Sequence, residues 1–146
     1  MNEEKMKNET APKKRKSGIP TGNAGEYFVM GELLRRGFDA QLADRNTQDY
    51  DILTGLTTDK VLKKLQVKTV RTAPWYVKKS SYSGDLAEQL TVFVLLGDEK
   101  ASKKVRYFIT KNSDVASKVH CPKDWKSNGF MSLNAIKDYE DRWDLI

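Results

Sequence analysis

The chain has 146 residues, with 26 Lys and Arg against 20 Asp and Glu, so its formal net charge at pH 7 is +6; this length fits one domain with a core of its own. One cysteine, Cys121, and one histidine, His120, exclude an internal disulfide and a zinc site of four Cys or His ligands. The lone cysteine, the polar N-terminus and the absence of an apolar stretch as long as a membrane span predict a cytoplasmic protein with no membrane partner, and the basic balance favours a polyanion.

Residues 1–20 are lysine-rich and nearly free of apolar side chains. Such a segment buries too little surface to offset the entropy of ordering it. We therefore predict a disordered basic tail over residues 1–20 and a single domain over residues 21–146. The PKKRK run at residues 12–16 fits a phosphate-binding arm, a nuclear-import signal or simply a solvated tail, and its charge alone favours the last.

A first helix is predicted to start with Asn23 as its N-cap and to end before Gly37. Glu26 follows Asn23 by three residues, as in a capping box. Met30 and Leu33 stand four and seven residues after Glu26, which places this acid on the apolar stripe of the helix. A carboxylate in that position requires a partner or a metal ion. Glu26 therefore closes the capping box, belongs to a functional site, or does both.

Five later segments are expected to be extended: a short piece near residues 40–43, and residues 50–56, 61–70, 91–96 and 105–110, which have the pattern of β-strands. The second and third are expected to form a hairpin that turns at residues 57–60. The uninterrupted apolar run of the fourth predicts a central strand covered on both faces. Residues 75–82, which mix aromatic and charged side chains, are expected to form a loop.

Two helices are expected near the C-terminus. Ser113 is the predicted cap of a short one that ends at Val119. Ile136, Tyr139 and Trp143 share a face at helical spacing and predict a final amphipathic helix. The order of elements points to an α/β or α+β core of about four strands covered by helices.

Asp51, Gln66 and Lys68 are predicted to meet on one face of the hairpin. Gln66 and Lys68 lie two residues apart in one strand, so both side chains leave the same face. With the turn near residues 58 and 59, Asp51 falls opposite Gln66, whereas a slip of one residue would move it to the other face. An acid, an amide and an amine then converge, with Glu26 as the fourth member.

This set suits phosphodiester cleavage. Carboxylates bind Mg²⁺, a hard cation that prefers oxygen ligands and that activates water beside a phosphate. A lysine adds positive charge near the reacting phosphate, or orients or deprotonates the water. We predict Glu26, Asp51, Gln66 and Lys68 as catalytic residues, and the first three with the Val67 backbone carbonyl as ligands of Mg²⁺, or of Mn²⁺ as its substitute.

The segments Gly25-Glu26, Tyr50-Asp51-Ile52-Leu53 and Gln66-Val67-Lys68 resemble, in order and spacing, the core of the PD-(D/E)XK nuclease superfamily. That superfamily includes restriction enzymes, archaeal-type Holliday-junction resolvases and homing endonucleases. The resemblance covers roughly residues 22–110 and implies an α/β (α+β), restriction-endonuclease-like core, with a mixed central sheet of about four to five strands flanked by helices. Tyr50 replaces the frequent proline of the motif, and Gln66 replaces its usual acid; an amide oxygen can bind Mg²⁺ but adds no charge.

The resemblance implies a Mg²⁺-dependent endonuclease acting on DNA, and a homodimer is a form that it allows. The alternatives are a DNA-binding module whose metal site the glutamine weakens, and a protein-interaction adaptor on the same fold. Five polar or cationic side chains are candidates for DNA contacts, each with an ordinary structural or solvated role as its alternative: Lys64, Thr69, Arg71, Lys78 and Lys79. The adjacent Trp75 and Tyr76 either join a nucleic-acid surface or pack on the core.

Overall fold

A computed structural model describes residues 18–44, 46–97 and 104–146 of the chain. Within them lie seven strands: β1 (Asp39–Leu42), β2 (Ile52–Gly55), β3 (Lys63–Val70), β4 (Trp75–Lys78), β5 (Leu90–Leu95), β6 (Arg106–Lys111) and β7 (Asn128–Met131). The same residues form three α-helices: α1 (Ile19–Arg35), α2 (Asn112–Val115) and α3 (Leu133–Ile136). Most of the predicted tail, including the run at residues 12–16, lies outside the described residues.

Five strands form one mixed sheet in the order β1-β2-β3-β5-β6, and β4 pairs with β7 in a separate two-stranded sheet. The first three strands form an antiparallel meander, β5 runs parallel to β3, and β6 runs antiparallel to β5. The hairpin has the predicted register, because Ile52 pairs with Leu65. The interior position of β5, with residues 90–94 buried, confirms the prediction of a central strand.

The start of α1 differs from the sequence prediction. The helix begins at Ile19 and has Pro20 in its first turn, where a missing N–H breaks no helical hydrogen bond. The prediction of Asn23 as N-cap is therefore wrong, and Glu26 lies inside the helix rather than in a capping box. Because the helix starts at Ile19, residues 19 and 20 of the predicted disordered tail are helical.

The end of α1 is the predicted one. Gly37 has a φ of 90°, a conformation that favours glycine. Its N–H donates to Leu34 O at 3.1 Å, and the N–H of Phe38 donates to Leu33 O at 3.0 Å. These two bonds satisfy the last carbonyls of the helix and send the chain back towards the sheet as β1.

Each face of the main sheet has its own apolar core. On one face, α1 and the C-terminal residues cover a core whose largest members are Leu33, Ile52, Leu65, Tyr107, Ile109 and Trp143. On the other face, the β4–β7 sheet, α2 and α3 cover a second core whose largest members are Trp75, Tyr82, Phe93, Phe108 and Met131. The sheet is thus the middle layer of three.

The stretch predicted as a loop contains β4, so that prediction is wrong. Trp75 and Val77 point into the second core, and Tyr76 and Lys78 point outward. The Trp75 ring meets the rings of Phe93 and Phe108 edge-on, with centroids 5.4 and 5.9 Å away. Pairing with the distant β7 turns this mixed sequence into a strand.

The prediction of a final amphipathic helix is also wrong. The chain instead makes short helical turns at Leu133–Ile136, Lys137–Tyr139 and Trp143–Leu145. Ile136 packs in the second core and Trp143 in the first, so the two side chains serve opposite faces of the sheet. The earlier short helix starts at Asn112, and Ser113 is not its cap.

A bidentate ion pair fastens this last segment to the sheet edge. Arg106 donates to the two carboxylate oxygens of Glu140 at 2.7 and 2.9 Å. The hydrogen bonds from Arg106 lower the pKa of Glu140 below its ordinary value. Within the described ranges, no helix has the length and apolar character needed to cross a membrane.

Candidate active site

The strands β2 and β3 separate at Asp51. β2 pairs with residues 63–65 of β3, and residues 66–70 continue without a partner strand on that side. Asp51 precedes β2 directly, and its N–H donates to Leu65 O at 2.8 Å. Its side-chain Oδ2 accepts the N–H of Val67 at 2.8 Å. The carboxylate thus accepts a hydrogen bond that a main-chain carbonyl of a paired strand would otherwise accept. It lies at the edge of β3.

The Val67 carbonyl belongs to the same edge. In a strand, the N–H and C=O of one residue point to the same side. Leu65 O and Val67 N both face Asp51, so the C=O of Val67 faces this side as well. The Asp51 carboxylate and the Val67 carbonyl therefore face the same edge of β3 where the hairpin opens, and their binding of a cation stays a prediction.

Glu26 reaches this region from α1, because the helix approaches β3 closely. Gly25 rests against Thr69, and a Cβ built on Gly25 would overlap the Thr69 hydroxyl oxygen. Glu26 follows Gly25 directly and lines a cleft of about 330 Å³ together with Asp51, Tyr50 and other residues of the β1–β2 connection. The structure thus brings Glu26 and Asp51 into one cleft from separate elements.

Gln66 and Lys68 lie on the same strand but leave it on the face opposite α1. Both are half-buried. Lys68 lines a second, larger cavity of about 660 Å³ on the side of the β4–β7 sheet. Asp51 contacts the backbone of the Gln66-Val67-Lys68 motif at its middle residue. The meeting of the Gln66 amide and the Lys68 amine with the two acids stays a prediction.

The remaining sequence candidates have different environments. Lys64 is exposed and lies over the ring of Tyr50, with its Nζ 5.1 Å from the ring centroid. Arg71, Lys78 and Lys79 are exposed as well. Thr69 differs, because its hydroxyl oxygen is buried without a hydrogen-bond partner in the described part of the chain. This buried oxygen gives no support to a phosphate contact, and the role of Thr69 in DNA binding stays a prediction.

The sequence indicated only part of the aromatic wall of the larger cavity, because Tyr76 was a candidate for a nucleic-acid surface and Trp125 was not. Tyr76 and Trp125 line it together with Lys68, Lys78 and Lys126. Trp125 is 39% exposed, so much of its indole is open to solvent. The alternation of buried and exposed residues over residues 75–78 was the available signal for Tyr76. No local signal pointed to Trp125, because its position depends on the β4–β7 pairing.

Acidic side chains alone do not form a metal site here. Among the described residues, no group of three or more Asp, Glu, His or Cys side chains is arranged to hold a metal ion. A cation beside Asp51 would therefore need neutral oxygen ligands as well as carboxylates. The predicted ligand set offers both kinds, the Glu26 carboxylate as a second acid and the Gln66 amide and Val67 carbonyl as neutral oxygens.

Two solved structures resemble this chain. Hjc, a Holliday junction resolvase from the archaeal hyperthermophile Archaeoglobus fulgidus, matches with a TM-score of 0.52 and 14% identity, over 80% of this chain and 87% of its own. The bacterial homing endonuclease I-Ssp6803I matches with a TM-score of 0.57 and 16% identity, over 89% of this chain and 93% of its own. This chain shares their fold, a restriction-endonuclease-like α+β fold in which a mixed five-stranded sheet lies between helices and a small two-stranded sheet. Neither a family model nor a curated protein matches the sequence.

Proposed function

We propose that this chain is a metal-dependent endonuclease that hydrolyses phosphodiester bonds in DNA, with its reactive centre at the open end of the β2–β3 hairpin. The observation that supports this proposal best is the hydrogen bond from the Val67 N–H to the Asp51 carboxylate, in a cleft that Glu26 also lines. The shared fold of a junction resolvase and a homing endonuclease supports a nuclease of this type. A cytoplasmic location and a homodimer stay predictions.

The ligands suit Mg²⁺, with Mn²⁺ as its substitute. Asp51 and Glu26 would hold the ion with carboxylate oxygens, and the Gln66 amide and the Val67 carbonyl would add neutral ones. Mg²⁺ prefers oxygen ligands and keeps several waters, so two carboxylates are enough for a working site. When bound, such an ion lowers the pKa of its water and offsets the charge of the scissile phosphate.

The protein's own groups have separate roles in this proposal. The Val67 N–H holds the Asp51 carboxylate in one orientation before substrate arrives, which limits reorganisation during the reaction. The Lys68 amine supplies positive charge and N–H donors to the phosphate oxygens. Lys64, Arg71, Lys78 and Lys79 are exposed cations that would bind neighbouring phosphates, so DNA affinity should fall as salt rises.

Cleavage assays with two matched variants test the proposal. Plasmid and branched DNA are incubated with Mg²⁺ or Mn²⁺ and with wild type, Asp51→Asn or Asp49→Asn. Asparagine at position 51 keeps an oxygen for the Val67 N–H but removes the charge. Asp49 is exposed and has a φ of 73°, which asparagine tolerates, so Asp49→Asn is the same chemical change two residues away.

We expect Asp51→Asn to lower cleavage about a hundredfold or more and Asp49→Asn to leave it near wild type. Equal cleavage by wild type and Asp51→Asn would attribute the activity to a contaminant and end the proposal.

A DNA-binding module of the same fold is the second candidate. It is favoured by the neutral Gln66 and by the lack of a three-acid cluster within the described ranges. This candidate predicts salt-sensitive DNA binding that Mg²⁺ does not change, and no cutting of any DNA form. An adaptor for proteins predicts no DNA affinity even at low salt, where phosphate contacts are strongest.

A further inference from the structure

The larger cavity has the composition of a surface for unpaired nucleotides. Its volume of about 660 Å³ lies in the range of small-molecule sites. Two aromatic side chains form one part of its wall, Tyr76 at 69% exposure and Trp125 at 39%. Three lysines surround them, Lys68, Lys78 and Lys126, against a single acid, Asp124. Exposed rings beside lysines bind bases by stacking and phosphates by charge.

These rings are not simply part of the core. Tyr76 is an outward residue of β4, and its neighbours Trp75 and Val77 are the ones that pack inward. The Tyr76 and Trp125 rings lie 6.2 Å apart, centroid to centroid, with an angle of 36° between their planes. Trp125 also meets Phe130 edge-on at 5.8 Å, which holds the indole in place. Both aromatic faces are thus held in position at the mouth of the cavity.

We propose that this cavity binds an unpaired base of the DNA substrate, so that the preferred substrates carry a single-stranded or branched segment beside the scissile phosphate. A base inside a duplex is already stacked and does not offer its face to a protein ring, which excludes an intact duplex from this cavity. Lys68 connects the two sites, because it lines the cavity and follows Val67, whose N–H binds Asp51. The link to cleavage rests on the proposed function.

A metal chelator prevents cleavage, so that binding alone is measured. The ligand is a single-stranded oligodeoxythymidine of about ten nucleotides. Trp125 is the reporter, since Trp75 and Trp143 are buried at 1% and 5% exposure. The oligonucleotide should quench the fluorescence of wild type. The same titration with a blunt duplex of equal length should give weaker quenching.

Variants of Tyr76 decide whether stacking is the cause. Tyr76→Ala should weaken the Kd for the oligonucleotide by about fivefold or more, the effect of losing one base–aromatic stack. Tyr76→Phe keeps the ring and should bind like wild type. Phe28→Ala is the matched control, because Phe28 is an aromatic side chain of 47% exposure on α1, on the opposite side of the sheet.

Equal affinity of Tyr76→Ala and wild type overturns the inference, and so does a duplex that binds as tightly as the single strand. Absence of any oligonucleotide binding also overturns it and leaves a peptide as occupant. If only the proposed function fails, the chain does not cleave DNA with Mg²⁺, but its binding of the oligonucleotide in chelator still depends on Tyr76. If both proposals hold, Tyr76→Ala slows cutting of branched DNA more than cutting of duplex.

Discussion

Replacing Gly25 by alanine should separate α1 from β3. The added Cβ would lie 2.7 Å from the Cβ of Thr69 and 2.8 Å from its Cγ2, in addition to the contact with the hydroxyl oxygen. Carbon atoms in contact normally lie about 3.5–4.0 Å apart. A new rotamer of Thr69 does not remove the clash, because its Cβ is fixed to the backbone of β3. Helix and strand must therefore move apart by about 1 Å.

Gly31 in the same helix provides the control. A Cβ built there has nothing within 4 Å, so Gly31→Ala should only gain helix propensity, about 0.5–1 kcal/mol. Gly25→Ala gains the same term but loses about 1–3 kcal/mol to overpacking. We therefore expect the free energies of unfolding of the two variants to differ by about 1–3 kcal/mol, with Gly31→Ala the more stable.

Urea denaturation followed by circular dichroism measures this difference, and the cleavage assay adds a second readout. Glu26 is next to Gly25, so a shift of α1 moves this acid relative to Asp51. A misplacement of about 1 Å can lower a rate about a hundredfold. Gly25→Ala should thus lose cleavage that Gly31→Ala keeps. Equal stability of the two variants would mean that α1 does not approach Thr69 closely, and the proposed position of Glu26 would be refuted.

Three further predictions concern single side chains. Gln66→Glu should tighten Mg²⁺ binding, measured by calorimetry, since it adds a negative charge to the predicted ligand set; unchanged affinity would mean that Gln66 does not touch the ion. Thr69→Val removes a buried hydroxyl without a partner in the described residues, so stability in urea should stay equal or rise and DNA affinity should not change; weaker DNA binding would support Thr69 as a contact. Arg106 lowers the pKa of Glu140, so their pair stabilises the protein above the ordinary glutamate pKa and stops doing so as pH falls through the lowered value. Glu140→Gln should accordingly lower the free energy of unfolding near pH 7, by no more than about 1 kcal/mol for a half-exposed pair, and the difference from wild type should vanish in acid; a difference independent of pH would refute the charge argument.

Much of the fold could be predicted from local sequence. The apolar run at residues 91–96 indicated the central strand, and the turn near Asp59 set the register in which Ile52 faces Leu65. Gly37 marked the end of α1 because a positive φ favours glycine. In each case, only one conformation of a few adjacent residues both buries their apolar side chains and satisfies their backbone hydrogen bonds.

The errors arose where contacts with segments distant in sequence determine the local structure. Asn23 and Glu26 match a capping box, but Pro20 starts the helix a turn earlier. The sequence predicts a loop at Trp75, because nothing nearby indicates that residues 75–78 will pair with residues 128–131. Ile136 and Trp143 fit one helical face, yet they pack in different cores.

By itself, the sequence determined the chemistry available to this protein: two acids, an amide and a lysine on a helix and a hairpin, in a chain of positive charge. Only the tertiary structure decided which of them share a cleft. Glu26 and Asp51 line the same one because Gly25 lets the helix rest on Thr69, whereas Lys68 opens onto an aromatic cavity that β4 and β7 build on the other face. The spacing of residues fixes the side of its own strand or helix that a side chain faces, but the packing of elements remote in sequence determines what it meets there.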